Sequence, residues 1–201
     1  MDSLEILSDY YDPESKLFDI LVEHGRRVAA KAIDAAKRVP NLNPDLDFIR
    51  EASMLHDIGI CFTRTSSLGC EGKHPYICHG YLGRELLESK GFKRHALVCE
   101  RHLGVGLTAE DIMQQGLPLP VRDMVPVSIE ELIIGYADKF YSKSNGSAEG
   151  EKSVEAVKKE LLKFGPEKVE RFEIWHKLFS SCHQDTKARR IKIKNNIFVS
   201  L

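Results

Sequence analysis

Phe48-Ile49-Arg50-Glu51-Ala52-Ser53-Met54-Leu55-His56-Asp57-Ile58-Gly59 is the stretch on which the fold turns. Phe48, Ala52, Leu55 and His56 recur at helical spacing, and Gly59 is placed to stop the helix. Pro40 and Pro44 frame its start, with Asn43 as the expected N-cap. The adjacent His56-Asp57 pair therefore falls at a helix C-terminus, where the last turn can swing both side chains toward one point. An imidazole beside a carboxylate suits a divalent metal of borderline hardness.

The pattern stays helical on both sides of this stretch. Upstream, Asp12-Pro13 reads as an N-cap with proline at the first helical position. Leu17, Ile20, Leu21, His24, Val28, Lys31, Ala32 and Ala35 follow at helical spacing, so His24 lies on the inward stripe. Downstream, Thr63 to Lys73 is rich in Ser, Thr and Gly and reads as a loop. A helix is expected from about Tyr76 to Lys90, closed by Gly91, with His79, Leu82, Gly83, Leu86 and Leu87 on one face. Gly80 and Gly83 would let it approach a neighbour closely. The next helix, from Phe92, groups His95, Val98, Cys99 and His102 and ends at Gly104 and Gly106.

Thr108 caps a short helix that stops at Gly116. Ser128-Ile129-Glu130-Glu131 reads as a capping box opening a strong helix, on which Ile134, Gly135, Asp138 and Tyr141 form one stripe. Beyond a polar loop containing Asn145-Gly146, two further helices are expected. The second starts near Pro166 and buries Val169, Phe172, Trp175 and Phe179. A basic tail carries Lys187, Arg189, Arg190, Lys192 and Lys194, and no convincing strand precedes it. The expectation is an all-α bundle of about eight helices in one domain, residues 1–201. Its core is 12–145, followed by C-terminal helices and tail over 153–201.

Composition narrows the function. The chain has 201 residues, 42% hydrophobic and 29% charged, as expected of a soluble globular protein with enough length for a full core. A net charge of −1 leaves no global electrostatic case for nucleic acid or an anionic membrane. The start Met1-Asp2-Ser3-Leu4-Glu5 is acidic and lacks the features of a signal peptide, and apolar runs such as Leu132-Ile133-Ile134 are too short to span a bilayer. The five cysteines form no CxxC pair, which reads as free thiols in a reducing cytoplasm. A cytoplasmic protein is expected.

His24, the adjacent pair His56-Asp57, His79, His102 and Asp138 are thus spaced about one helix and a turn apart, so that four or five separate helices could aim ligands at one point. Helical bundles build buried metal sites from one inward ligand per helix. A lone inward histidine is more often a satisfied core residue. Carboxylates on apolar faces, as at Asp57 and Asp138, are costly unless paired or metal-bound. Six such positions together point to a metal centre.

Met54-Leu55-His56-Asp57-Ile58-Gly59 resembles the signature of the HD superfamily of metal-dependent phosphohydrolases, in its HDIG form. His24 upstream and Asp138 downstream match that superfamily's other two ligands. His79 in His79-Gly80-Tyr81-Leu82-Gly83 and His102 in Glu100-Arg101-His102 are similar to the second-metal ligands of the dinuclear, six-ligand HD subgroup. The segment from Gly104 to Asp138 is similar to small uncharacterised HDIG-domain proteins. The resemblance runs from about Asp12 to Tyr141. It implies an HD-type helical bundle in which His24, His56, Asp57 and Asp138 bind one metal. Asp57 would bridge to a second metal held by His79 and His102, making Asp57, His79 and His102 the catalytic set. The cofactor would be one or two divalent ions (Fe, Mn, Co, Zn or Mg).

The implied activity is hydrolysis of a nucleotide or other small phosphoester by a metal-activated water. Two alternatives share this ligand pattern, an HD-fold di-iron oxygenase and a non-catalytic nucleotide-binding sensor. The expected partner is a small phosphorylated substrate; a homodimer is left open, and neither membrane nor nucleic acid is expected. Two departures stand out. Ile60 occupies a position where many HDIG proteins carry Lys. The Gly-Tyr-Pro element of cyclic-di-guanylate HD enzymes is missing, so that substrate is not expected. Arg64, Arg101, Arg122, Lys139 and Lys143 are candidate phosphate contacts, with Arg122 and Lys143 preferred. His74 is the rival to His79, and His95, His176 and His183 are expected to be structural.

Overall fold

The computed structural model describes residues 2–143 and 150–180. Among these, nine α-helices dominate: α1 Ser3–Ser8, α2 Lys16–Lys37, α3 Leu46–Leu55, α4 His79–Ser89, α5 Lys93–Arg101, α6 Ala109–Gln114, α7 Ile129–Asp138, α8 Val154–Leu161 and α9 Pro166–Ser180. The all-α expectation holds, with α1 added to the eight helices read from the sequence. The Asn145-Gly146 turn, His183 and the basic tail lie outside the described residues.

Several boundaries differ from expectation, each for a local hydrogen-bonding reason. Ser15, not Asp12, caps α2, because its hydroxyl accepts from Phe18 N; Asp12 instead accepts from Glu14 N in the preceding turn. Asp45, not Asn43, caps α3 through Phe48 N. Asn43 sits at φ 49° and closes a short 3₁₀ turn over Pro40–Leu42. Gly59 does not stop α3. That helix ends at Leu55 with His56 as C-cap, and the chain enters a 3₁₀ turn over Ile58–Phe62.

Thr63 to Lys73 is not a plain loop. Strands β1 (Thr63–Thr65), β2 (Cys70–Glu71) and β3 (His74–Pro75) form a small sheet in the order β2-β1-β3. β1 runs antiparallel to β2 and parallel to β3. Strands of two or three residues are too short to show an alternating pattern, so the sequence carries no signal for them.

Two apolar clusters flank the histidine positions. Val28, Ala32, Ala35 and Ala36 of α2 join Phe48, Ile49 and Ala52 of α3, residues 132–134 of α7, and Phe172, Trp175 and Phe179 of α9. Leu21 and Val22 of α2 join Leu55, Ile58, Ile60, Leu87 and Cys99 in the other. Each fully buried aliphatic side chain contributes roughly 1.5–3 kcal/mol. His24 lies between the two sets along α2, and His56 follows Leu55 along the chain. The polar centre therefore sits at the seam of the clusters. α9 supports α7 through aromatic contacts: Tyr136 to Phe172 with centroids 5.6 Å apart, Tyr136 to Phe179 at 5.1 Å, and Tyr136 Oη at 2.9 Å from His176 Nδ1.

Glycines allow the helices that carry the histidines to close up. A Cβ on Gly59 would lie 2.1 Å from His79 O and 2.4 Å from Gly83 N, so the turn after Asp57 touches the α4 backbone. A Cβ on Gly80 would meet Cys99 O at 2.8 Å, which brings α4 against α5 as the sequence suggested.

Candidate metal centre

All six expected ligands are buried, from 1% exposed for His56 to 7% for Asp138, and they converge. Three of the imidazoles are oriented by one local device. His56 Nδ1 donates to Ser53 O, His79 Nδ1 to Tyr76 O and His102 Nδ1 to Cys99 O, each at 2.7 Å and each three residues back. A carbonyl oxygen only accepts, so Nδ1 carries the proton and the Nε2 lone pair faces the centre, the arrangement of a metal-binding histidine. His56 and His102 can do this because they are the C-caps of α3 and α5, where the ring folds back over its own last turn.

Asp57 divides the cluster. Its Oδ2 is 3.1 Å from His56 Nε2 and 3.3 Å from His24 Nε2. Asp138 Oδ1 closes that side, 3.0 Å from His24 Nε2 and 3.4 Å from His56 Nε2. The other oxygen, Oδ1, is 3.3 Å from His79 Nε2 and 3.5 Å from His102 Nε2, and those two nitrogens are 3.1 Å apart. His24, His56 and Asp138 could hold a metal ion, and so could His56, Asp57 and His102 by proximity alone. Direction separates these overlapping sets: His56 addresses Oδ2 whereas His102 addresses Oδ1, which puts His56 with His24 and Asp138.

The donor set fits a divalent cation. Both Asp57 oxygens are buried without a well-directed hydrogen bond among the described residues, as is His24 Nδ1. A buried carboxylate is costly unless a cation satisfies it, and the ammonium of Lys143 lies on Oδ2. Burial would raise the Asp57 carboxyl, but His56 and Lys143 outweigh it and hold Asp57 well below the usual carboxylate range. Asp138 is likewise held low against burial by Lys139 and Lys143. Burial lowers His24 to about 4 and His102 to about 4, which favours neutral, ligating imidazoles. His56 is also pulled down by burial, but the Asp57 charge reverses this and lifts it to about 9, so a cation here competes with a proton.

The candidate phosphate contacts separate clearly. Lys143 Nζ reaches Asp57 Oδ2 at 2.8 Å. Burial opposes its charge, but Asp57 and Tyr76 more than compensate and keep it an ammonium. Lys139 pairs with Asp138 Oδ2 at 2.9 Å and donates to His102 O. Arg122, by contrast, forks onto the buried carboxylate of Glu100. Arg101 pairs with Glu131, and Arg64 is exposed on β1. His74 is exposed on β3, His95 pairs with Glu51 at 3.3 Å, and His176 meets Tyr136. The sequence reading missed Tyr76, whose ring lies 4.6 Å from that of His79 and whose carbonyl orients it. The one available signal was its position three residues before a histidine at the start of a helix.

No helix among the described residues is long and apolar enough to cross a membrane. An uncharacterized protein of Methanocaldococcus jannaschii is 36% identical over 123 residues, covering 60% of this chain and 65% of that protein. Two proteins named as tRNA (cytidine(56)-2'-O)-methyltransferases are also similar over 125 residues. They come from Thermoplasma volcanium (31% identical) and Picrophilus torridus (34%), and each match covers 62% of this chain but 32% of the relative. The chain thus spans less than two thirds of these relatives. Crystal structures of the HD domain of the L. monocytogenes phosphodiesterase PgpH, one in complex with cyclic-di-AMP, are similar at TM-score 0.49 and 14% identity. They cover 98% and 100% of this chain and 95% of the matched chains. The HD domain profile matches residues 21–142, more than half of the chain and the segment that carries all six clustered residues. The chain belongs to the HD domain family.

Proposed function

We propose that this protein hydrolyses a small phosphoester, with a nucleotide as the substrate class, at a two-ion centre. His24, His56 and Asp138 would hold one divalent ion with Asp57 Oδ2, and His79 and His102 the other with Asp57 Oδ1. The observation that carries this reading is the division of the Asp57 carboxylate, whose two oxygens face two separate nitrogen groups. A carboxylate is the ligand type here able to serve two ions at once, and an all-nitrogen-and-oxygen set suits Fe, Mn, Co or Zn without choosing among them. Ions so held supply Lewis-acid activation of water and neutralise charge on phosphoryl oxygens.

The chain's own residues do the rest. Backbone carbonyls of Ser53, Tyr76 and Cys99 lock three ring orientations in advance, so little reorganisation is needed when substrate arrives. The six residues are buried between the two apolar clusters, which limits their exposure to water. Lys143 is the side chain best situated to meet a phosphoryl oxygen, because it combines an enforced positive charge with contact to Asp57. With Ile60 where many relatives of this type carry Lys, a cation from the segment after α7 is what remains. Arg122 is left out of the binding set because Glu100 occupies its guanidinium. The methyltransferase name of two relatives belongs to proteins of which this match covers 32%.

The test is a panel of phosphomonoesters, phosphodiesters and nucleotides assayed with Mn, Fe or Co on protein purified without chelator. Phosphate or a nucleoside phosphate should be released from some member, and Asp57→Ala should abolish release. Absence of turnover with every metal, under reducing and oxidising conditions, would refute the proposal.

A further inference from the structure

Lys143 belongs to two sites at once. Its ammonium sits on Asp57 Oδ2, the oxygen that also faces His24 and His56. The same residue lines a cavity of about 420 Å³ with Thr65 and Leu68 of the small-sheet region, Tyr76 before α4, Tyr141 and Ser142 after α7, and Lys152. The cavity is therefore bounded by the sheet insert on one side and by the chain following α7 on the other. Its lining residues include the hydroxyl-bearing Thr65, Tyr76, Tyr141 and Ser142 and two lysines. Lys152 Nζ pairs with Glu160, 2.8 Å away. None of the carboxylates that line the metal cluster also lines this cavity.

We infer that this cavity is the phosphate-binding subsite, and that Lys143 is a shared cation, drawn to Asp57 or released to the phosphate according to whether a metal ion holds Asp57 Oδ2. The inference rests on the metal-centre reading above. Lys143 and a divalent ion coordinated by His24, His56 and Asp138 are like charges competing for one carboxylate oxygen. Two unit charges a few ångströms apart interact strongly at the effective dielectric of a protein site, and a divalent ion doubles that repulsion. The ion therefore weakens the hold of Asp57 on Lys143. The flexible four-carbon stem then allows the ammonium to turn into the cavity that it already lines, where a phosphate dianion replaces the lost carboxylate. The ligand class is a phosphomonoester or the phosphoryl end of a nucleotide, with Leu68, Tyr76 and Tyr141 as the apolar surface for what it carries. Metal and phosphate then bind with positive coupling, and that coupling is reciprocal.

The experiment uses the full chain and two ligands, Mn²⁺ and inorganic phosphate, each measured by calorimetric titration or equilibrium dialysis. Wild-type protein should bind phosphate about tenfold or more tighter with Mn²⁺ than with chelator. K143M should bind Mn²⁺ several-fold tighter than wild type, because the competing ammonium is gone, and phosphate about tenfold weaker. K152M should weaken phosphate without altering Mn²⁺. Opposite-signed effects of K143M on the two ligands are the signature of sharing, and a merely structural lysine would weaken both. Should K143M lose its fold, K143Q is read in the same way. Unchanged or weaker Mn²⁺ affinity in the folded variant, with wild type binding Mn²⁺ normally, overturns the inference alone. No Mn²⁺ uptake by wild type overturns the metal-centre reading and this inference with it.

Discussion

Gly59→Ala is the most informative perturbation, because one methyl group tests how the metal centre is assembled. The added Cβ would lie 2.1 Å from His79 O, 2.4 Å from Gly83 N and 2.9 Å from Gly83 Cα. These are backbone atoms of α4 and cannot rotate away. Comfortable contacts begin near about 3.5 Å, so α4 must retreat by roughly 1 Å or more. Overpacking of this kind costs about 1–3 kcal/mol. For a chain of this size, that lowers the melting temperature by roughly 2–12 °C. The larger effect is local, because α4 carries His79, whose Nε2 lies 3.3 Å from Asp57 Oδ1. Functional constellations tolerate about 0.5 Å of misplacement. The Asp57 Oδ1 side should lose about 10–100-fold in metal affinity, the usual effect of disturbing a ligand's support. The His24–His56–Asp138 side, held by α2, α3 and α7, should change far less. Differential scanning calorimetry and a Mn²⁺ titration followed to saturation read both effects. If Gly59→Ala melts within about 1 °C of wild type and titrates identically, the close approach of α4 is not what builds the site.

Three further outcomes are expected. Chelation should lower the melting temperature, since an ion present at 100 times its Kd stabilises by about 2.7 kcal/mol, roughly 5–11 °C here; a melt indifferent to EDTA would contradict a bound ion. His95→Gln should keep the full metal content measured by elemental analysis, because His95 pairs with Glu51, whereas His102→Gln should lower it; equal losses would show that position on the helix face does not select the ligands. Asp111→Asn should leave the buried Lys168 ammonium without the charge of its 2.6 Å partner, at a cost of about 1.5–3 kcal/mol near neutral pH. Burial pushes the Asp111 carboxyl up, but Lys168 and Thr108 outweigh it, so its folded value is depressed. A depressed carboxylate contributes stability above its unfolded value of about 3.9, and that contribution fades as pH falls through the folded value. The gap between wild type and variant in urea melts should therefore be full at pH 7 and shrink below about pH 4; a gap that is constant with pH would refute the pairing.

Much of this protein could be read from its sequence because the relevant signals are local. The inward stripe of α2 located His24, the end of α3 located His56 and Asp57, and the capped start and stripe of α7 located Asp138. Helical periodicity turned His24 and Asp138 toward the core, and the end of α3 placed His56 and Asp57 beside them. What misled was also local: Asp12 and Asn43 have the right chemistry for N-caps, but Ser15 and Asp45 lie closer to the helix starts that packing selects. The short strands after the 3₁₀ turn left no pattern to read.

Tertiary structure decided what spacing along the chain cannot express. Which oxygen of Asp57 faces which histidine depends on how α3 meets α2 on one side and α4 and α5 on the other, and a sequence does not encode the rotation of a carboxylate. Lys143 and Arg122 looked equivalent as exposed cations. The fold brought one to Asp57 and gave the other to Glu100, and only the packed helices determine which carboxylate a long side chain reaches.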